Sequence, residues 1–78
     1  MEGALSRLVP TLLDLALWRP SMAVRSSALQ CLVDLAQLPY HSLHPYCREV
    51  VKAAAAACDD AKRTVRLQAA HVRQAWSE

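Results

Sequence analysis

The sequence has few of the residues that strands and tight turns use. It contains no Phe and one Gly, and aromatic residues make up 5% of the chain. The hydrophobic residues, 54% of the total, are mostly Leu and Ala, which suit helices better than strands. The predicted fold class is therefore all-α. A chain of 78 residues forms one small unit that buries only about 60% of its extended surface, which argues against a self-contained enzyme.

Other features are missing as well. The three cysteines show no CxxC spacing and leave one unpaired, so they do not form a disulfide framework. No N-terminal stretch combines a basic start, an apolar run and a small-residue cleavage site. The longest uncharged apolar run, residues 53–58, is far shorter than the roughly 20 residues that cross a bilayer. We expect an intracellular, reduced chain without a membrane span.

Proline and polar residues divide the chain into four helical segments. Proline removes a backbone donor and disfavours helical geometry in the preceding residue, so Pro20 ends the first segment and Ser21 can cap the second. Pro45 suits the first turn of a helix, and Asp59 or Asp60 can cap the last one. The predicted helices cover residues 5–17, 22–38, 45–58 and 62–77.

Pro10 lies inside the first of these segments. A proline in a helix interior kinks or breaks the helix. Two alternatives follow: either the helix begins at Pro10, or residues 5–9 form a preceding turn and the helix kinks.

An internal repeat relates the two halves of the chain. A shift of 41 residues aligns the second segment with the fourth: Val24-Arg25 with Val65-Arg66, Ala28 with Ala69, Cys31 with Val72 and Leu35 with Trp76. In each copy the spacing is i, i+4, i+7, i+11, which is one stripe of a helix. A period near 40 with two helices per unit is typical of HEAT or armadillo repeats.

This repeat predicts the domain organisation. We expect two HEAT-type antiparallel helical hairpins, an α-solenoid fragment with one repeat over residues 1–39 and the other over 40–78. Repeat arrays generally need about three units for stability. We therefore expect the chain to be a terminal piece of a longer solenoid, or an isoform that keeps only its end.

Several short strings resemble one HEAT-repeat family specifically. The strings are Met22–Arg25, Ala28–Cys31, Leu38–Pro39, Leu43–Tyr46 and Asp59–Arg66, followed by Arg73 and Trp76. From about Val9 to Trp76 they resemble the C-terminal repeats of the large nucleotide-excision-repair adaptor that serves as the scaffold of the cytosolic iron-sulfur targeting complex. The chain is similar to that region or to a short isoform of it.

The resemblance implies a function. A member of this family would be a protein-interaction scaffold that docks a β-propeller subunit and a small adaptor subunit. It would help to deliver iron-sulfur clusters to apo-proteins of DNA repair, replication and transcription, in the cytoplasm and nucleus. The resemblance implies no cofactor held by the scaffold itself. Two alternatives stay open: a generic HEAT or armadillo protein-binding module, and a helical repeat that binds nucleic acid.

Charged residues supply the candidate site. Arg25 and Arg66 recur at matching positions, and Asp59 or Asp60 can pair with Arg66 across or within the repeat, so these four residues form a predicted ladder between repeats. The basic residues of the last helix are Lys62, Arg63, Arg66 and Arg73. The favoured hypothesis for them is a partner with an acidic patch, and the alternative is a solvated surface without a partner. Direct nucleic-acid binding is the weaker hypothesis, because no aromatic platform accompanies them.

Other residue types carry less chemistry. His41, His44 and Cys47 are spaced by three but lack a further ligand pair, so we expect no metal site. Cys31 and Cys58 are interpreted as small core residues. No Ser-His-Asp, Cys-His or paired-carboxylate arrangement is evident, so we expect no catalysis.

The two tryptophans are interpreted separately. Trp76 ends the buried stripe of the last helix, so we expect it in the core. Core burial is also the favoured interpretation of Trp18, with an exposed anchor for a partner as the alternative.

Overall fold

The fold consists of four helices. The computed structural model describes the backbone of residues 2–77 and the side chains of residues 4–77. The predicted repeats begin at residue 1 and end at residue 78, and these two positions lie outside the described range. The helices are α1 (Glu2–Ala16), α2 (Met22–Leu35), α3 (Tyr40–Ala57) and α4 (Arg63–Trp76). No strand occurs between residues 2 and 77. The all-α prediction is confirmed.

The helices pack as two hairpins placed side by side. Helix α1 contacts α2, and α3 contacts α4, through short connections. Across the two hairpins α1 contacts α3, and α2 contacts α4. Equivalent helices of consecutive units therefore stack on each other, which is the arrangement of HEAT-like repeats.

Helix α2 begins where the sequence predicts and ends earlier. Ser21 is extended, with φ −141° and ψ 117°, and its hydroxyl oxygen accepts a hydrogen bond of 3.2 Å from the Val24 N–H, so the predicted cap is confirmed. The helix ends at Leu35 and not at Leu38. The N–H of Leu38 donates to the Leu35 carbonyl at 3.0 Å in a tighter turn. Pro39 explains the early end, because the residue before a proline is disfavoured in helical geometry.

Helix α1 runs through Pro10 without interruption, so both alternatives for this segment are wrong. Proline removes one hydrogen bond from the helix. Apolar burial on both sides of it offsets that loss: Leu5 and Val9 precede the proline and Leu12 and Ala16 follow it, all buried and all on one face. The proline itself points to solvent.

Helix α3 begins at Tyr40, five residues before the predicted start at Pro45. Pro39 occupies the cap position with φ −56° and ψ 141°, and its carbonyl accepts from the Ser42 N–H at 3.0 Å. The added turn buries Leu43, which is 5% exposed. Pro45 is consequently an interior residue of the helix, because core burial of that turn outweighs the hydrogen bond lost at the proline.

The predicted stripe is correct in α4 and displaced in α2. In α4, Val65, Ala69, Val72 and Trp76 are all buried. In α2, Ala28 is buried but Cys31 is exposed, so the core role assigned to Cys31 is wrong. The buried residues of α2 are Arg25, Ala28, Leu29 and Leu32.

The neighbours of each helix explain this displacement. Helix α2 has α4 on its downstream side, where Arg25, Leu29 and Leu32 lie buried, and within residues 2–77 no helix covers its upstream side. Helix α4 has α2 on its upstream side, and within residues 2–77 no helix covers its downstream side. The repeat shift aligns Arg66 with Arg25 and Arg73 with Leu32, and both arginines of α4 are exposed. The same sequence stripe is therefore buried to different extents because the two helices have different neighbours.

A hydrogen bond joins the end of α4 to α2 of the first repeat. The indole Nε1–H of Trp76 donates to the Leu32 carbonyl at 2.7 Å, and Trp76 is only 2% exposed. The predicted core position of Trp76 is confirmed. None of the four helices is long and apolar enough over the described residues to pass through a bilayer.

Candidate functional site

A buried ion pair joins the two repeats. Arg25 projects from α2, and Asp60 lies in the connection between α3 and α4; both side chains are at least 96% buried. The Arg25 Nε lies 2.7 Å from Asp60 Oδ2, and the second terminal nitrogen of Arg25 donates to Oδ1 at 3.3 Å. The guanidinium therefore approaches both carboxylate oxygens, a geometry that orders the two repeats relative to each other.

Arg25 also holds its own repeat together. Its first terminal nitrogen donates to the Trp18 carbonyl at 3.0 Å and to the Arg19 carbonyl at 2.8 Å. The Nε–H, in contrast, has no acceptor in hydrogen-bond geometry among the described residues, so its short approach to Asp60 is ionic. One side chain thus connects the turn of the first repeat to the turn of the second.

The Asp60 carboxylate binds one backbone N–H and two arginine side chains. Its Oδ1 accepts from the Lys62 N–H at 2.8 Å, and its Oδ2 lies 3.1 Å from a terminal nitrogen of Arg19, whose side chain is 66% exposed. Burial raises the pKa of Asp60, but the Lys62 N–H, the Arg25 hydrogen bond and the charges of Arg25 and Arg19 together bring this pKa below its ordinary value. The carboxylate is therefore charged at neutral pH.

The predicted cap of α4 is wrong in detail. The cap residue is Lys62, without a side-chain cap hydrogen bond, and Asp60 binds the N–H of that residue instead of one inside the helix. Asp59 is exposed. Asp60 cannot also cap the first turn of α4, because its carboxylate faces the buried guanidinium of the neighbouring repeat.

Arg66 contacts backbone carbonyls. Its first terminal nitrogen donates to the Asp60 carbonyl at 2.9 Å and to the Ala61 carbonyl at 3.1 Å. The predicted pairing of the Asp60 carboxylate with Arg66 is wrong, because Arg25 occupies that carboxylate. We call Arg25, Asp60 and Arg66 the inter-repeat ladder.

Sequence reasoning missed the contribution of Arg19. The predicted ladder comprised Arg25, Arg66, Asp59 and Asp60 and left out Arg19. Arg19 in fact binds the carboxylate of Asp60. The signal was present in the repeat, since the shift of 41 residues aligns Arg19 with Asp60, a residue of opposite charge.

Lys62 and the arginines of α4 form an exposed basic surface. Lys62, Arg63, Arg66 and Arg73 are all exposed, and within residues 4–77 none of them is in an ion pair. Lys62, Arg66, Ala70 and Arg73 recur at helical spacing on one side of α4. We call the set of Lys62, Arg66, Ala70 and Arg73 the end face.

Trp18 lies in the connection between α1 and α2. It is 50% exposed, so the favoured interpretation as a core residue is wrong. Its backbone carbonyl accepts a hydrogen bond from the Arg25 guanidinium. Its indole is an exposed apolar surface in the connection between α1 and α2, outside the basic helix α4.

An apolar surface lies at the opposite end of the stack from the end face. A shallow groove of about 310 Å³ runs between α1 and α2. We call its lining residues the upstream face: Leu12, Leu15, Ala23, Val24, Ser27, Ala28 and Cys31. The repeat shift relates Val24, Ala28 and Cys31 to Val65, Ala69 and Val72 of α4, which are buried.

The histidine and cysteine residues of α3 make ordinary contacts. Among the described residues no group of three His, Cys, Asp or Glu side chains is placed to hold a metal ion. His41 and His44 are exposed, and His44 packs edge to face on Tyr40 with ring centroids 5.5 Å apart. The thiol of Cys47 donates to the Leu43 carbonyl at 3.5 Å, an ordinary contact within a helix.

Comparison with known proteins gives a consistent set of relatives. No protein-family model matches the chain. It is 42% identical over 76 residues to an MMS19 nucleotide excision repair protein homolog of Xenopus tropicalis, covering 97% of this chain and 7% of that protein. It is 42% identical over 77 residues to the MMS19 nucleotide excision repair protein of Drosophila melanogaster, covering 96% and 8%. The human homolog is 49% identical over 57 residues, covering 73% and 6%.

The chain therefore spans less than a tenth of the length of these relatives. The similarity includes most of both hairpins, since the two longer alignments cover nearly the whole chain.

Proposed function

Because this chain belongs to the MMS19 family, we propose that it acts as a protein-binding segment of a DNA-repair adaptor and has no catalytic activity. The relatives are named as nucleotide excision repair proteins. The structure of this chain supports an adaptor role through the use of its charged residues. The buried charged side chains among residues 4–77 are Arg25 and Asp60, and both serve to join the repeats.

The chemistry of the site supports the same proposal. A general acid or base needs a titratable group that can reach a substrate, whereas Asp60 is enclosed by Arg25, Arg19 and the Lys62 N–H. The remaining cations lie on the surface of α4, where they can meet a partner. The single observation that carries the proposal is the homology over 97% of the chain, with the stacked hairpins as its structural basis.

The finer form of the proposal concerns iron-sulfur delivery. We propose that the segment contributes to a scaffold that docks a β-propeller subunit and a small adaptor subunit of the cytosolic iron-sulfur targeting complex. Apo iron-sulfur proteins of DNA repair, replication and transcription would be its clients, in the cytoplasm and nucleus. The resemblance of the string Asp59–Arg66 and of Trp76 to that family supports this form.

Co-purification tests the proposal. The full chain with an affinity tag is expressed in cultured cells, and retained proteins are identified by mass spectrometry. We expect the β-propeller and small adaptor subunits to be retained. A double variant, Arg66→Gln with Arg73→Gln, should weaken that retention, whereas Arg7→Gln with Arg48→Gln changes the net charge equally on α1 and α3 and should not.

Two outcomes would contradict parts of the proposal. Absence of both subunits from material purified with the folded chain would exclude the iron-sulfur form. Equal loss with both double variants would exclude the basic surface of α4 as the docking site. Retention of nucleic acid that falls steeply with salt would instead favour the nucleic-acid hypothesis.

A further inference from the structure

Arg66 occupies the same place in the second repeat that Arg25 occupies in the first. The two residues are related by the shift of 41 residues. In each, the first terminal nitrogen donates to the carbonyl at the matching position of the preceding turn: Arg19 at 2.8 Å for Arg25, and Asp60 at 2.9 Å for Arg66. Each also reaches a neighbouring carbonyl. The backbone therefore holds both guanidinium groups by one edge.

The other edge of the two guanidinium groups differs. In Arg25 the Nε and the second terminal nitrogen meet the carboxylate of Asp60, which comes from the following repeat. In Arg66 the same two atoms meet no acceptor among residues 4–77, and the residue is exposed. The position that a carboxylate fills beside Arg25 is therefore open beside Arg66.

The surroundings of Arg66 indicate what can fill that position. Beside Arg25, helix α2 presents Leu29 and Leu32, which are buried against the next repeat. The matching positions of α4 are Ala70 and Arg73, both exposed. A further apolar hairpin would bury the charge of Arg73 without a partner, which is costly. An acidic segment would meet complementary charge from Arg73 and from Lys62.

We propose that Arg66 is a receptor for a carboxylate from an acidic loop of a protein partner. The carboxylate binds the Nε and second terminal nitrogen of Arg66 as Asp60 binds Arg25, and Lys62 and Arg73 add flanking positive charge. The inter-repeat ladder thus continues from this chain into the bound protein. This inference rests on the proposed function, because it specifies the chemistry of the partner that the adaptor recognises.

A titration of the full chain tests the inference. The probe is a hexa-aspartate peptide, added to the ¹⁵N-labelled chain, with hexa-asparagine as the uncharged control peptide. We expect the Arg66 side-chain Nε–H resonance to shift on addition of hexa-aspartate and to stay unchanged with hexa-asparagine. The Arg25 resonance should not shift, because its carboxylate site is filled.

Matched variants separate a specific receptor from diffuse charge. Arg66→Gln should weaken binding about tenfold, since charge-assisted paired hydrogen bonds to a carboxylate are lost. Arg66→Lys keeps the charge but not the planar fork, and should weaken binding roughly threefold to fivefold. Arg48→Gln removes the same charge at an exposed position of α3, outside the basic surface, and should change affinity less than about twofold. Circular dichroism at 222 nm checks that each variant remains folded.

Each result decides the inference. An affinity that falls equally in Arg66→Gln and Arg48→Gln would overturn it, because the attraction would then be diffuse. Failure of hexa-aspartate to bind the folded chain would overturn it as well. Both failures are distinct from failure of the proposed function, because subunits could still co-purify through Trp18 or another surface while the Arg66 variants bind as well as the native chain.

Discussion

Removing the charge of Asp60 tests whether the inter-repeat ion pair holds the two hairpins together. In Asp60→Asn the side chain keeps an oxygen for the Lys62 N–H, but the guanidinium of Arg25 stays buried without a counter-charge. Breaking a buried pair in this way costs about 3 to 5 kcal/mol. A chain of 78 residues has a total stability of roughly 4 to 12 kcal/mol, so the loss is a large share of it.

The contacts of Asp60 are unequal, which refines the magnitude. The Arg19 side chain is 66% exposed, so Arg19→Gln should cost less than about 0.5 kcal/mol. We expect about 3 kcal/mol for Asp60→Asn, near the lower limit for a buried pair, because the hydrogen bond to Lys62 can persist. Nearly all of that loss is assigned to the pairing with Arg25.

Urea unfolding followed by circular dichroism measures these differences. With a slope near 1 kcal/mol per molar urea, Asp60→Asn should lower the midpoint by roughly 3 M. A double-mutant cycle with Arg25→Met isolates the pair, and the double variant should lose about 2 kcal/mol less than the sum of the single variants. A midpoint shift below about 0.5 M, or additive losses, would refute the assignment of the ion pair as the link between repeats.

Two further predictions concern pH and the last turn of α4. Because the folded pKa of Asp60 lies below its ordinary value, the stability that it contributes is present above about pH 4 and is lost as pH falls through the folded pKa. The melting temperature of the native chain should therefore fall more steeply below about pH 4 than that of Asp60→Asn; parallel curves would contradict this. Trp76→Phe removes the indole donor to Leu32 and should cost about 2 kcal/mol in urea unfolding. Trp18→Phe, at a half-exposed position, should cost little stability. Equal losses of stability in the two variants would contradict the assignment of the Trp76→Phe loss to its hydrogen bond with the Leu32 carbonyl.

The fold was predictable where local chemistry decides the structure. The Ser21 cap and the turn at Pro20 depend on a few neighbouring residues, and the sequence pattern predicts both correctly. The repeat shift likewise located the buried face of α4. Because a proline disfavours a helix interior, the sequence predicts a helix start or a kink at Pro10 and a helix start at Pro45. The burial of Leu5 and Leu43, on the N-terminal side of the two prolines, instead keeps both helices continuous.

The candidate site was predictable only in part. The residue types of the ladder were visible in the sequence, but the partner of Asp60 was not. Arg66 is near Asp60 in the chain, whereas Arg25 is 35 positions away, and only the stacking of α2 on α4 brings it close. The exposure of Cys31 has a similar cause, because its burial depends on a neighbouring helix and not on its own stripe.

The end face and the upstream face are not complementary to each other. If they were, copies of the chain would add head to tail, and such a contact gives an open filament when its rotation does not close a ring. A second copy placed by the repeat geometry would set Arg66 and Arg73 against the Val24, Ala28 and Cys31 surface, where nothing compensates their charge. The charge of α4 thus disfavours head-to-tail association of copies of this chain through these two faces.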